Sequence, residues 1–286
     1  MLVGTSAGGL ALAGIVALGA GCGRLGFDEP GVGPGGTVDG GGGDSGGDGS
    51  DAAATGDALV APLDGSAGCV LPAGRIVHLA FEEGSGLTTA DASGGGNTAQ
   101  LIGMNNADWV TGRLGGALDF DGVDDRVNAG SATALDNVIP VSMCAWIRPR
   151  SYPSNFPTIA DKSIDSFTGG WFFYIENNAQ FGFQGNRRKW ITGGTIVLGA
   201  WTHVCVTWDG TDGFAGIRLF QDGASTAMKN SGSNGTQLDS DAVRDLLIGR
   251  VNNGSFPFDG VIDDFMVYPR VLTAQEIAVI HSCAGN

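Results

Sequence analysis

From Arg75 onward the chain is a succession of short apolar alternations broken by Gly, Asn, Asp and Ser. IVHLAFEE, ALDFDG, VSMCAWIRP, GWFFYIEN, AQFGFQG, WTHVCVTWDG, GIRLFQDG, DLLIGR and VIDDFMVYPR place apolar residues at alternate positions or in short continuous runs. Those are the patterns of strands whose side chains alternate between two faces. Many close on a turn dipeptide, such as Asp209-Gly210, Asp212-Gly213 or Asp222-Gly223. Strands at this density, with no long helical stretch between them, predict an all-β antiparallel two-sheet sandwich or jelly roll. One short C-terminal helix is expected in LTAQEIAVIH, where Thr273 and Glu276 form a capping box and Ile277 and Ile280 a buried stripe.

Upstream the texture is different. GLALAGIVALGAG, Gly9 to Gly21, has the length of a signal-peptide core and is too short and Gly-rich for a membrane span, so residues 1–21 read as an export signal. The ending LGAGC resembles a bacterial lipoprotein box, which implies lipidation at Cys22. Residues 22–68 show no apolar period and form a Gly/Asp-rich linker, a self-repelling coil of roughly 35–40 Å average span. The folded domain is then expected over residues 69–286.

Composition narrows the function. With 42% hydrophobic residues among 286 the chain can build a real core, and a net charge of -15 excludes a nucleic-acid partner, which needs clustered Lys and Arg. The acid is nearly all Asp, a residue of turns and oxygen-ligand sites. If Cys22 carries lipid, four cysteines remain, and an even number in an exported chain implies two disulfides among three possible pairings. Cys144 with Cys205 is favoured because both lie mid-strand, and Cys69 with Cys283 because that bond would clasp the ends of the domain.

The order FEEGSG, DASGGGNTAQLIG, GRLGGALDFDGVDDRV and VSMCAWIRP, then WTHVCVTWDG, FQDG, LLIGR and FDGVIDDFMVYPRVLTAQEI, resembles the laminin-G-like jelly roll of the concanavalin A-like superfamily, from about Arg75 to Ile280. The resemblance implies two stacked antiparallel sheets of about six or seven strands, one of them concave, with the chain ends close together. FDGV occurs twice, from Phe120 and from Phe258. Each copy is expected to be a turn feeding a strand, with its Phe in the core.

Asp263 alternates with Val261, Phe265 and Val267 and so is expected on the core face, where an unpaired carboxylate costs several kcal/mol. The resemblance implies a calcium ion near the segments DASGGGN and VIDD, which nominates Asp91, Asn97, Asp263 and Asp264 as ligands, with loop carbonyls completing the shell. The alternative is that Asp263 accepts hydrogen bonds from loop amides and no metal is present. Catalysis is not expected. The glycan hydrolases of the superfamily resemble one another in an E-x-D-x-x-E strand that this chain lacks, Glu176 stands alone, and Glu82 and Glu83 point to opposite faces. His78 and His203 lie inside strands and His281 lies beside a cysteine of the clasp.

NRRKW, from Asn186 to Trp190, is the basic cluster of an acidic domain and ends in an aromatic residue. Arg187, Arg188 and Trp190 suit sugar stacking or an acidic protein patch, and Tyr152 and Phe156 of SYPSNFP would add apolar surface nearby. The competing explanation is edge-strand protection by charge. Trp146, Trp201 and Trp208 read as core or cross-strand residues. Together these features predict a lipid-anchored, cell-surface recognition or adhesion module, binding glycan or protein through loops or the concave sheet. A structural envelope lipoprotein is the alternative, and a glycan hydrolase a more distant one.

Overall fold

The computed structural model describes residues 69–163, 169–185, 189–211, 213–233 and 239–283. The export signal, Cys22 and the linker lie outside the described residues. Two antiparallel sheets stack face to face. The first has eight strands, in the order Ala224–Thr226, Ile217–Gln221, Thr202–Trp208, Val141–Ser151, Asp259–Tyr268, Gly116–Asp121 and Trp109–Thr111, with Val77–Leu79 also pairing with Asp259–Tyr268. The second has nine: Met228–Ser233, Lys189–Gly193, Phe181–Gly185, Phe172–Ile175, Thr158–Asp161, Leu247–Ile248, Arg126–Asn128, Ala99–Ile102 and Thr88–Thr89. Both sheets are wider than the sequence suggests. The additions are short pieces such as Thr88–Thr89 and Trp109–Thr111, too brief to show alternation.

Alternation explains the interior. Val141, Met143, Ala145 and Ile147 face Phe173, Ile175, Phe181, Phe183 and Ile191 within one apolar core shared by the sheets. The residues between them, Cys144 and Trp146, are equally buried, because the helix Ala274–Ser282 covers the outer face of the first sheet. Ile277 and Ile280 pack there against Cys144, Cys205, Phe220, Met266 and Tyr268. The capping box forms as the sequence indicates: Thr273 Oγ1 accepts from Glu276 N while the Glu276 carboxylate accepts from Thr273 N.

Cys144 and Cys205 are direct cross-strand partners and are disulfide-bonded, with Cα atoms 4.2 Å apart. Cys69 and Cys283 are bonded too, across 214 residues and 5.3 Å between Cα atoms. Closing so long a loop removes about 5 kcal/mol of unfolded-chain entropy in the simplest model. The two FDGV copies turn out to be neighbours: Asp259 pairs with Asp121 and Gly260 with Phe120, and the rings of Phe120 and Phe258 meet edge to face at 6.1 Å. Only the first copy feeds a turn. In the second, Asp259 and Gly260 already belong to the strand.

The seam between helix and sheet gives a direct test. Ile277→Ala should cost about 2–5 kcal/mol by leaving a cavity under the helix, seen as a lower urea midpoint at unchanged slope. Gln275→Ala, on the exposed side of the same helix, should change stability by no more than about 0.5 kcal/mol.

Candidate recognition face and the Asp263 pocket

Asp263 is fully buried, but on the face opposite to the one its alternation predicts. The strand Asp259–Tyr268 carries a bulge. Asp263 pairs with Trp146 and Met266 with Cys144, so two residues, Asp264 and Phe265, oppose Ala145 alone. Asp264 takes a left-handed backbone with φ 54°, a conformation that Asp tolerates better than most residues. The extra residue reverses the phase. Ile262, Phe265 and Val267 enter the core, while Asp263 joins Trp146 on the outer face.

The Gly112–Gly115 turn closes over that carboxylate. Asp263 Oδ2 accepts from Arg113 N at 2.8 Å and Leu114 N at 2.9 Å. A side chain at 112 would collide with Gly116 O and with Oδ2 itself, so glycine is needed for this approach. The Arg113 guanidinium lies over the Trp146 ring, 4.9 Å from its centroid. Asp263 Oδ1 and Trp146 Nε1 are buried and have no hydrogen-bond partner among the described residues. Burial pushes the Asp263 carboxyl up to about 7, and the charges of Asp264 and Glu82 add to this, while the two amides pull the other way.

Asp91 and Asn97 are brought together. Asp91 Oδ1 accepts from His78 N and Ser93 N, and Oδ2 from the Asn97 backbone and side-chain nitrogens. Burial alone would raise the Asp91 pKa, but these donors outweigh it and hold the carboxyl below its ordinary value. Asp264 belongs to another arrangement, its Oδ1 2.6 Å from His78 Nε2. Of the four nominated calcium ligands, Asp91 has both oxygens engaged by donors of the chain and Asp263 and Asp264 one each, while Asp263 Oδ1 and Asn97 Oδ1 are buried without a hydrogen-bond partner among the described residues. The acidic group that does gather among the described residues is Asp121, Asp124 and Asp125, in the first FDGV copy. There Asp121 Oδ1 accepts from Val123 N and Asp124 N, and Asp125 Oδ2 from Asp121 N. These bonds hold the turn. Burial, joined by the neighbouring acids, raises the Asp125 carboxyl to about 6 against the pull of the Asp121 amide.

His203 is buried against the Cys144–Cys205 sulfurs and the Trp146 ring. Burial, with the neighbouring His281, lowers its pKa to about 3 and keeps it neutral.

The basic cluster is only partly visible, because Arg187 and Arg188 lie outside the described residues. Trp190 is half-buried on the outer face of the nine-stranded sheet, since its neighbour Ile191 enters the core. It stands between Gln184 and Gly232 on the flanking strands. Its indole lies across Gly232, where any Cβ would fall 2.4 Å from the ring. Tyr152 does not join it. That ring packs against the interior, and its hydroxyl donates to Ile196 O at 3.2 Å. The SYPSNFP loop is thus split between two environments, because Phe156 lies on the outer face with Phe172, Tyr174 and Phe256. That aromatic group is legible only in part: FFY predicts Phe172 and Tyr174 on one side of a strand, but no pattern brings in Phe156 and Phe256 from two loops. On the other sheet, Arg150 bridges Asp119 and Asp259, and Arg148 lies over the half-exposed Trp201 ring at 5.0 Å.

Comparison with known proteins bears on the fold. A family model described as the concanavalin A-like lectin/glucanases superfamily matches residues 121–278, more than half of the chain. No curated protein matches. Domain 4 of the GH43 extracellular arabinanase AbnA from Geobacillus stearothermophilus, in complex with arabinotriose, is 19% identical with a TM-score of 0.52, the match covering 72% of this chain and 97% of that one. The binding domain of Paraclostridial Mosquitocidal Protein 1 is 14% identical with a TM-score of 0.53, covering 73% of this chain and 52% of the other. A Trypanosoma rangeli sialidase in complex with 2,3-difluoro-KDN is 17% identical with a TM-score of 0.55, over 78% of this chain and 35% of the sialidase. At these identities the likeness is one of fold.

The Asp263 pocket predicts an unusual response to pH. Unfolded, its carboxyl titrates near about 4; folded, it titrates at about 7. Between those values the folded chain holds the extra proton, so the Asp263 contribution stabilises in acid and is lost as pH rises through 7. Asp263→Asn keeps an oxygen for both amides and removes the charge. It should flatten the stability difference between pH 5 and 8, on the order of a few kcal/mol. Asp263→Ala, which orphans both amides, should cost about 1–3 kcal/mol near pH 5 and less near pH 8, because it removes the same titrating carboxyl. An Asn variant with the parental pH slope would exclude a buried, proton-binding Asp263.

Proposed function

The chain belongs to the concanavalin A-like lectin/glucanases superfamily, and from that premise we propose that it is a non-catalytic recognition module, held outside the cell, that binds glycan on the outer face of its nine-stranded sheet. Trp190 carries the reading. A half-buried indole resting on Gly232 offers a flat apolar surface on this face. Sugar rings present a face of C–H groups, which suits contact with such an aromatic surface. The acids near this face support binding without chemistry. Asp161 Oδ1 accepts from Ser163 N and Oγ, and Asp245 Oδ2 from Asn128 Nδ2, contacts that hold the local backbone and side chains in place.

Two of the compared structures point the same way by what they are: one is a domain in complex with arabinotriose, the other a toxin binding domain. The two disulfides fit an oxidising, exported environment. Among the described residues no helix is long and apolar enough to cross a membrane. A lipid at Cys22 with residues 22–68 as a stalk would hold the domain at a surface. Calcium is not needed for this reading, because none of its nominated ligands belongs to the surface around Trp190.

A glycan array probed with the full chain, with and without a chelator, tests the proposal. Binding is expected to survive chelation. Trp190→Ala should weaken it about tenfold or more without lowering the melting temperature, and Tyr152→Phe should leave it unchanged. A blank array would favour a structural envelope role or a protein ligand, and loss of binding on chelation would restore calcium to the site.

A further inference from the structure

Lys162 is, like Asp263, an ionisable side chain with no exposure to solvent. It directly follows the strand Thr158–Asp161, none of it reaches solvent, and it belongs to neither the recognition face nor the Asp263 pocket. Its ammonium is held in place. Nζ donates to Asp241 O at 2.8 Å and to Arg244 O at 2.9 Å. Two carboxylates flank it: Asp241 Oδ1 at 3.4 Å, on a residue only 1% exposed, and Asp136 Oδ1 at 3.9 Å. Asp136 Oδ1 is buried without a hydrogen-bond partner. A pair meant as a salt bridge would close to about 2.7–2.9 Å, and at these longer separations the Coulomb gain compensates desolvation poorly. The geometry is instead that of a nucleophile, an acyl group and a proton carrier.

We propose that the Lys162 and Asp241 side chains condense into an amide. Asp136 accepts a proton from the Lys162 ammonium, leaving a neutral amine against the Asp241 carboxyl. Nζ attacks Cγ and a tetrahedral intermediate forms. Its charge gathers on Oδ1, which already accepts from Asn137 N at 2.6 Å. That amide is aimed by a left-handed residue, Asn137 with φ 53°, and by the return bond from Asp241 N to Asn137 Oδ1. It serves as an oxyanion donor. The proton on Asp136 and one from Nζ pass to Oδ2, the Cγ–Oδ2 bond breaks, and water leaves. Ammonium and carboxylate thus become amide and water, with no oxidant or other reactant, and Asp136 is restored. Fixed proximity of amine and carboxyl supplies the driving arrangement. The bond would tie the end of the strand Thr158–Asp161 to the segment leading into Leu247–Ile248, its neighbour in the sheet.

Intact mass spectrometry of the full chain decides the matter. Parental protein should be lighter than a Lys162→Arg variant by the residue difference plus one water, and its digest should contain a branched peptide carrying both Lys162 and Asp241. A mass difference equal to the residue change, with Lys162 and Asp241 in separate linear peptides, overturns the proposal. Asp136→Asn should leave the parental chain uncondensed; a branched peptide in that variant would overturn the role given to Asp136. Because the branched peptide is read from the parental protein, misfolding of a variant cannot imitate the result.

Discussion

Burial of the strand Asp259–Tyr268 on both of its faces is the constraint around which this domain is organised. The strand pairs with Val141–Ser151 on one side and with Gly116–Asp121 and Val77–Leu79 on the other. Its inner side chains meet the opposing sheet and its outer ones meet the helix. Such a strand must be apolar twice over, yet it carries two consecutive aspartates. The bulge resolves the conflict: Asp264 absorbs the extra residue and turns to His78, and Asp263 is delivered to the outer face, where the Arg113 and Leu114 amides meet it. Without that bulge, Asp263 would enter the core with no donor in reach.

The same constraint explains which features were legible in the sequence. VSMCAWIRP and WTHVCVTWDG read as strands because their apolar residues occupy both faces, and Cys144 and Cys205 could be paired because each sits midway along such a run. The helix was legible from Thr273 and Glu276 alone. Asp263 was misplaced because a period-2 argument has no memory of an inserted residue; one bulge inverts everything on its far side. The signal available was weak, an Asp at a position where a left-handed backbone is tolerable. Tyr152 and Phe156 were read as one surface patch although the three residues between them carry them into different layers. Lys162 was invisible for another reason: a lysine after a strand is expected in water, and only the tertiary structure shows it enclosed.

The wide outer face of the nine-stranded sheet follows from these choices. Loops around Phe156 and Phe256 cover Phe172 and Tyr174, so part of the face is sealed by its own aromatics. Trp190 lies beyond that seal and remains half-exposed, because Gly232 on the next strand offers it no side chain to hide behind. The proposed recognition surface is therefore a margin of the sheet and not its whole width. The fold alone would not say this, since enzymes and binding domains share the architecture.

The chain's preference for aspartate over glutamate has its physical basis in the loops. Asp91, Asp121, Asp161 and Asp209 each accept a hydrogen bond from the amide two residues ahead, and Asn105, Asn128, Asn178 and Asn253 do the same. A side chain with one methylene closes such a turn, whereas a glutamate is too long to do so without strain. Much of the negative charge is thus spent inside turns, where it meets N–H groups that would otherwise need water. This is why oxygen-rich clusters such as Asp121, Asp124 and Asp125 can exist without implying a cation: the amides are the counter-charge.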